Sequence, residues 1–256
     1  MKKIITCILP ALILSANAFS QKLSNKQEIS LRAPSTIKID GKATEWDNKL
    51  QAYNKATNVS YTLSNDEKYL YLTIQTKYHD IADKILRGGI TLNINHTLQK
   101  KDAKQVSITY PVLRGGDMSA VANMYARAST SQPDGIVTPY NDLNTVLGSK
   151  DKTINVSGIE SITDSSIAIY NDLGIKAASL FDDKLTYTCE IAIPLKYLNL
   201  PNNGTDAFSY QIKVNEAEQM HRPTTINSST PAPPPPMAMT ALSTTDFWGE
   251  YTLAKK

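Results

Sequence analysis

Between Tyr69 and Gln75 the apolar residues Leu70, Leu72 and Ile74 alternate with Tyr71, Thr73 and Gln75. A period of two turns one side of a strand to a core and the other away from it. The same alternation recurs at Val59, Tyr61 and Leu63; at Ile90, Leu92 and Ile94; at Val106, Ile108 and Tyr110; and at Ile167 and Ile169. It is strongest late in the chain, at Leu185 through Ile193, at Phe208 through Val214, and at Phe247, Tyr251 and Leu253. Many short alternating segments separated by turn residues predict an all-β fold, an antiparallel β-sandwich of jelly-roll-like form. Helical signals are brief. Asp80 opens a turn or two carrying Ile81, Ile85 and Leu86 before Gly88, Met118 to Ala126 suggests another helix, and Leu195 to Leu198 a single turn.

Punctuation along the chain sets the boundaries. Residues 1–20 read as a cleavable signal peptide: Lys2 and Lys3 precede an apolar run from Ile4 to Leu14, followed by small residues up to Ser20. Residues 21–35 read as a flexible lead, and 36–256 as one sandwich domain. Residues 111–165 have weak periodicity and are expected to be an insertion at one end of it. Residues 221–245 form a low-complexity loop with four consecutive prolines at 233–236. Proline lacks a backbone donor and fixes φ, so this Pro-rich surface loop cannot join a sheet.

Composition narrows the function classes. Without the leader the chain has 25 basic residues against 24 acidic, which argues for neither nucleic acid nor an anionic membrane as partner. No segment approaches the roughly 20 apolar residues of a transmembrane helix. One cysteine, Cys189, would remain after processing, so no internal disulfide and no multi-cysteine metal site is expected. His79, His96 and His221 are scattered without zinc-ligand spacing. No nucleophile elbow or phosphate loop is present, and the acidic pairs Asp182–Asp183 and Glu216–Glu218 lie in no catalytic signature, so no enzyme is expected.

Three segments carry a family likeness: I-D-G-K-A-T-E-W from Ile39 to Trp46, N-D-E-K-Y-L-Y-L from Asn65 to Leu72, and Y-T-C-E-I-A-I-P-L-K-Y-L from Tyr187 to Leu198. In this order they resemble the family 9 carbohydrate-binding modules and their relatives in exported bacterial proteins. The closing D-F-W-G-E-Y from Asp246 to Tyr251 looks like an uncharacterised branch of these. The resemblance implies a β-sandwich, a glycan partner and a periplasmic or cell-surface location. Calcium is common in such modules, and Asp40, Glu45 and Asp66 are the candidate oxygen donors. Read physically, the segments are structural: Asp40-Gly41 and Asn65-Asp66 are turns, Trp46 is expected to pack into the core, and Glu190 to bind loop amides.

Sugar recognition needs a flat aromatic ring for the C–H face of a pyranose and polar neighbours for its hydroxyls. Trp248 is the first candidate, since it lies on the strand face opposite Phe247 and Tyr251. Tyr69 and Tyr71 share a strand face and would form a two-ring platform. Tyr125 and Tyr140 lie in the insertion, where end loops often carry sites. The sequence departs from the paired-tryptophan clamp of the family, because one of its two tryptophans, Trp46, lies in the expected core motif. The reading is therefore an exported, non-catalytic glycan-binding protein. Its alternatives are an envelope scaffold on the same fold, or a haem or redox-binding sandwich using Met and His.

Overall fold

The computed structural model describes residues 23–100, 104–130, 140–200, 207–218 and 243–256. The signal peptide and most of the proline-rich loop lie outside these residues. The first half of the chain gives β1 (Leu31–Arg32), β2 (Ala52–Asn54), β3 (Val59–Asn65), β4 (Tyr69–Thr76), α1 (His79–Gly88), β5 (Ile90–Ile94), β6 (Val106–Tyr110) and α2 (Gly115–Thr130). After it come α3 (Tyr140–Lys150), β7 (Thr153–Ser157), β8 (Ser166–Ala168), β9 (Lys176–Phe181), β10 (Tyr187–Pro194), β11 (Ala207–Val214) and β12 (Thr245–Thr252).

Two six-stranded sheets result: β1-β3-β4-β10-β9 with β2 also on β3, and β12-β11-β5-β6-β7-β8. Their apolar faces close on one core, so the fold is an all-β sandwich. Leu63, Leu72 and Ile191 are adjacent across three strands of the first sheet, and Ile212, Leu92 and Ile108 do the same in the second. Every strand pair is antiparallel except β1 with β3, where Leu31 pairs with Ser64.

Aromatic residues join the layers. The hydroxyls of Tyr61 on β3 and Tyr210 on β11 lie 2.9 Å apart, and the backbone N–H of Gln27 donates to Tyr61. Phe247 packs at 5.0 Å from the Tyr61 ring. Gly249 leaves room for this arrangement: it sits opposite Tyr210 in the ladder, and a Cβ there would lie 2.3 Å from the phenol ring. Gly249→Ala is expected to lower stability by about 1–3 kcal/mol through overpacking, as read by denaturant unfolding. Unchanged stability would mean that Tyr210 has a second place to go.

The outer face of the first sheet is itself covered. Residues 33–51 cross it as a strap. The buried carboxylate of Glu190 accepts the N–H groups of Asp40 and Gly41 at 3.0 Å each, as the sequence anticipated, and Gln51 N–H reaches Thr62 Oγ1. Gly41 has φ +81°, and a Cβ there would meet the Leu180 N and the Ser179 carbonyl carbon at 2.8 Å, so the strap lies directly on β9.

One corner joins β1 to the segment that follows β12. The Asn65 side chain accepts from Ala254 N–H and donates to the Ala254 carbonyl, while Tyr251 Oη donates to the Leu31 carbonyl at 3.0 Å. Asp66 shapes the adjoining turn by accepting from Lys68 N–H, Tyr69 N–H and Tyr71 Oη. Burial pushes its carboxyl up, but these bonds outweigh burial and hold it below the usual carboxylate range.

Several expectations need correction. α1 and α2 run to 10 and 16 residues, longer than the sequence suggested, and α3, of 11 residues, was not anticipated, while the single turn after β10 is present at Leu195–Tyr197. Residues 111–165 are not all insertion, since β7 is a member of the second sheet. The lead is anchored: Gln27 exchanges side-chain bonds with both backbone groups of Leu63, an amide imitating a strand partner. Trp46 lies half-buried on a 3-10 turn of the strap, not in the core, and its enclosed indole N–H has no acceptor among the described residues. Its neighbour Asp47 turns left-handed, which ends the turn and carries the chain back toward β2.

Candidate functional site

The outer face of the second sheet carries the candidate site. Because side chains alternate along each strand, cross-strand partners share a face. The ladder therefore places Trp248, Gln211, Asn93, Ser107 and Ser157 in one transverse row over β12, β11, β5, β6 and β7. Four strand spacings make this row roughly 19 Å long. Its members bond in series: Ser107 Oγ donates to Asn93 Oδ1 at 2.7 Å, Asn93 Nδ2 to Gln211 Oε1 at 2.7 Å, and Gln211 Nε2 to Asp246. These bonds fix the Asn93 and Gln211 amides in place, with Asn93 6% exposed and Gln211, Ser107 and Trp248 half-buried.

Trp248 heads the row. It is half-buried, with Phe247 and Tyr251 on the opposite, core-facing side of β12 as the alternation required. Beside it is a hollow of about 630 Å³, within the range of small-ligand sites. Residues 24–28 form one wall, Leu98 and Lys100 another, and Ser209 and Glu250 part of the floor. Lys26 and Lys100 oppose Glu28 and Glu250, so the hollow has no charge bias. Glu28 is held by the Ser24 hydroxyl at 2.7 Å. At the far end of the face a smaller hollow of about 200 Å³ lies among Ser107, Thr109, Arg114, Asn155 and Ser166. The face as a whole offers one indole and a line of neutral hydrogen-bonding groups.

The structure scatters the other sequence candidates. Tyr69 and Tyr71 do share a face, with rings 5.8 Å apart, but on the first sheet. Tyr71 is only 8% exposed with its hydroxyl given to Asp66, and the Lys176 ammonium lies over the Tyr69 ring, so the pair is not an open platform. Tyr125 is 3% exposed, stacked at 4.9 Å on Phe181 and bonded to His79 Nδ1, so its ring is a core component. Tyr140 is 38% exposed at the start of α3, over the first sheet and apart from Trp248.

The candidate metal donors are likewise apart or engaged. Asp66 is committed to its turn, Asp40 accepts Lys42 N–H, and Glu45 accepts Lys38 N–H and the Thr44 hydroxyl. Among the described residues no three His, Cys, Asp or Glu side chains converge as a metal cage requires. Two other carboxyls are perturbed. Desolvation raises Glu190 and Asp151 to about 7 each, in both cases against hydrogen bonds that favour the charged form. Both are buried and neither lines one of the hollows described, so they read as structural groups. Asp182 belongs to a turn, accepting Lys184 and Thr186 N–H, and Glu216 and Glu218 follow the end of β11.

Gln211, Asn93 and Ser107 were not anticipated as site residues. Their signal was the polar half of each alternation, which reads as ordinary solvated surface until the register aligns it.

No protein-family model matches the chain, and no curated protein matches it. Among solved structures it is similar to a carbohydrate binding module of family 9 from Caldicellulosiruptor kristjanssonii, in complex with glucose, at 13% identity and a TM-score of 0.40, covering 89% of this chain and 96% of that one.

Proposed function

We propose that this is an exported, non-catalytic glycan-binding protein whose site is the outer face of the second sheet. One observation carries the reading: a half-buried indole stands in register with a bonded row of amides and hydroxyls on the outer face of a sheet. An indole suits the apolar face of a pyranose, and fixed amides suit its equatorial hydroxyls. The balanced charge of the hollow favours a neutral sugar. Export rests on the pattern of residues 1–20, and none of the described helices is long and apolar enough to cross a membrane.

Trp248→Ala separates this reading from a scaffold role. In calorimetric titrations against neutral oligosaccharides, the natural chain should bind saturably and the variant at least tenfold more weakly, about 1.4 kcal/mol or more. Its unfolding midpoint should move little. Lost stability with no sugar binding by the natural chain would overturn the proposal in favour of the scaffold.

A further inference from the structure

The outer face of the first sheet carries a groove that the Trp248 site does not use. Tyr53, Ser60, Gln75, Thr188 and Leu180 form one cross-strand row over β2, β3, β4, β10 and β9. The strap covers the next row, where Thr62, Thr73 and Glu190 are buried, and borders this one at the β9 end, where Gly41 lies against Leu180. Two hollows of about 840 and 630 Å³ result, and they share Asn48, Gln75, Asp182 and Lys184, so they form one trough. Its floor spans roughly 19 Å by four strand spacings, long enough for a chain of units and too long for one.

The walls have a consistent chemistry. Tyr78, 40% exposed, stands in one hollow and Tyr140 in the other. Lys77 and Lys42 flank the two hollows, and Lys184 sits where they meet. None of these three lysines has a carboxylate partner among the described residues; Lys77 lies over the Tyr78 ring at 5.8 Å. On the acidic side, Asp182 spends one oxygen on its own turn and Asp183 lies on the rim. Asn58 fixes the Tyr53 hydroxyl, and Gln75 Nε2 donates to Thr188, leaving its amide oxygen for a ligand.

We infer that this trough is a second binding site, for an oligosaccharide bearing carboxylates, with Tyr78 and Tyr140 as ring contacts and Lys42, Lys77 and Lys184 countering the charge. A uronate chain combines the required features: flat C–H faces at intervals, hydroxyls for the amides, and one carboxylate per unit. The site is independent of the Trp248 face, since the two lie on opposite outer surfaces of the sandwich.

The test uses galacturonate oligomers of two to six units, with neutral cello-oligomers of equal length, in calorimetric titrations at two salt concentrations. Galacturonate affinity should rise with length and fall with salt, as exposed charge contacts do. Lys77→Ala with Lys184→Ala should weaken it at least tenfold, and Tyr78→Ala should do so at both salt levels. Trp248→Ala should leave it unchanged, so failure here and failure of the neutral-sugar site are separately visible. Absence of galacturonate binding, equal binding of the neutral oligomers, or loss on Trp248→Ala but not on the lysine variant would overturn the inference.

Discussion

Glu190→Ala is expected to destabilise the sandwich at pH 5 by about 2–5 kcal/mol, while Glu190→Gln at the same pH changes little. The reason is the asymmetry of buried hydrogen bonds. The alanine leaves the Asp40 and Gly41 N–H groups without an acceptor, and each orphaned buried donor costs about 1–3 kcal/mol. The glutamine keeps a carbonyl oxygen in the place of Oε2, and at pH 5 the natural residue is itself largely uncharged. Urea unfolding of both variants measures the difference. Equal midpoints would mean that the strap does not depend on this anchor. The alanine variant should also perturb the trough, because Gly41 to Thr44 form part of its wall.

Stability should fall as pH rises from about 5 to 8, and Asp151→Asn should remove a large share of that fall. Asp151 follows α3 and is buried with Tyr110 and Ser179 facing its carboxyl; Ser179 Oγ donates at 3.3 Å and Oδ1 has no partner among the described residues. Desolvation lifts its pKa from 3.8 to about 7. The folded state therefore holds a proton that the unfolded state releases near pH 4. The stabilisation is complete below the unfolded value and is lost as pH climbs through about 7. At about 1.4 kcal/mol per unit, the loss between pH 5 and 8 is about 2–3 kcal/mol for this residue. Asparagine should match the natural chain at pH 5 and exceed it by that amount at pH 8, in parallel denaturant titrations. Glu190 adds a second contribution of the same sign, so Asp151→Asn flattens the slope without abolishing it. Parallel slopes for the natural and asparagine chains would show that Asp151 ionises in the folded state near its ordinary pKa.

The strands that the sequence announced are those with large residues on one face and polar ones on the other. The pairing of β4 with β10 at the centre of the first sheet follows this rule through Leu70, Leu72 and Ile74 against Ile193, Ile191 and Cys189. By contrast, β9 turns Ala177, Ser179 and Phe181 inward, and the small inward residues beside Ile191 and Cys189 hide the period. In β7 the alternation of Ile154 and Val156 was present but stood in a stretch dominated by helix and turn residues. Glu190 was legible because a carboxylate amid β-branched strand residues needs donors, and a glycine turn supplies them. Trp46 misled because bulk suggests the core, whereas it stands half-buried on a 3-10 turn of the strap. Trp248 was placed on the correct side of its strand by parity alone. Its partners Gln211, Asn93 and Ser107 were not, because which polar residues align depends on register across strands distant in the chain.

The corner built by Asn65 has a mechanical consequence. Ala254 is fastened to the Asn65 side chain and Leu31 to the Tyr251 hydroxyl, which itself lies 3.0 Å from Asn65 Oδ1. A force applied between Leu31 and Ala254 would therefore be borne first by these few bonds, and would peel that corner open before any strand of the central sheets felt tension.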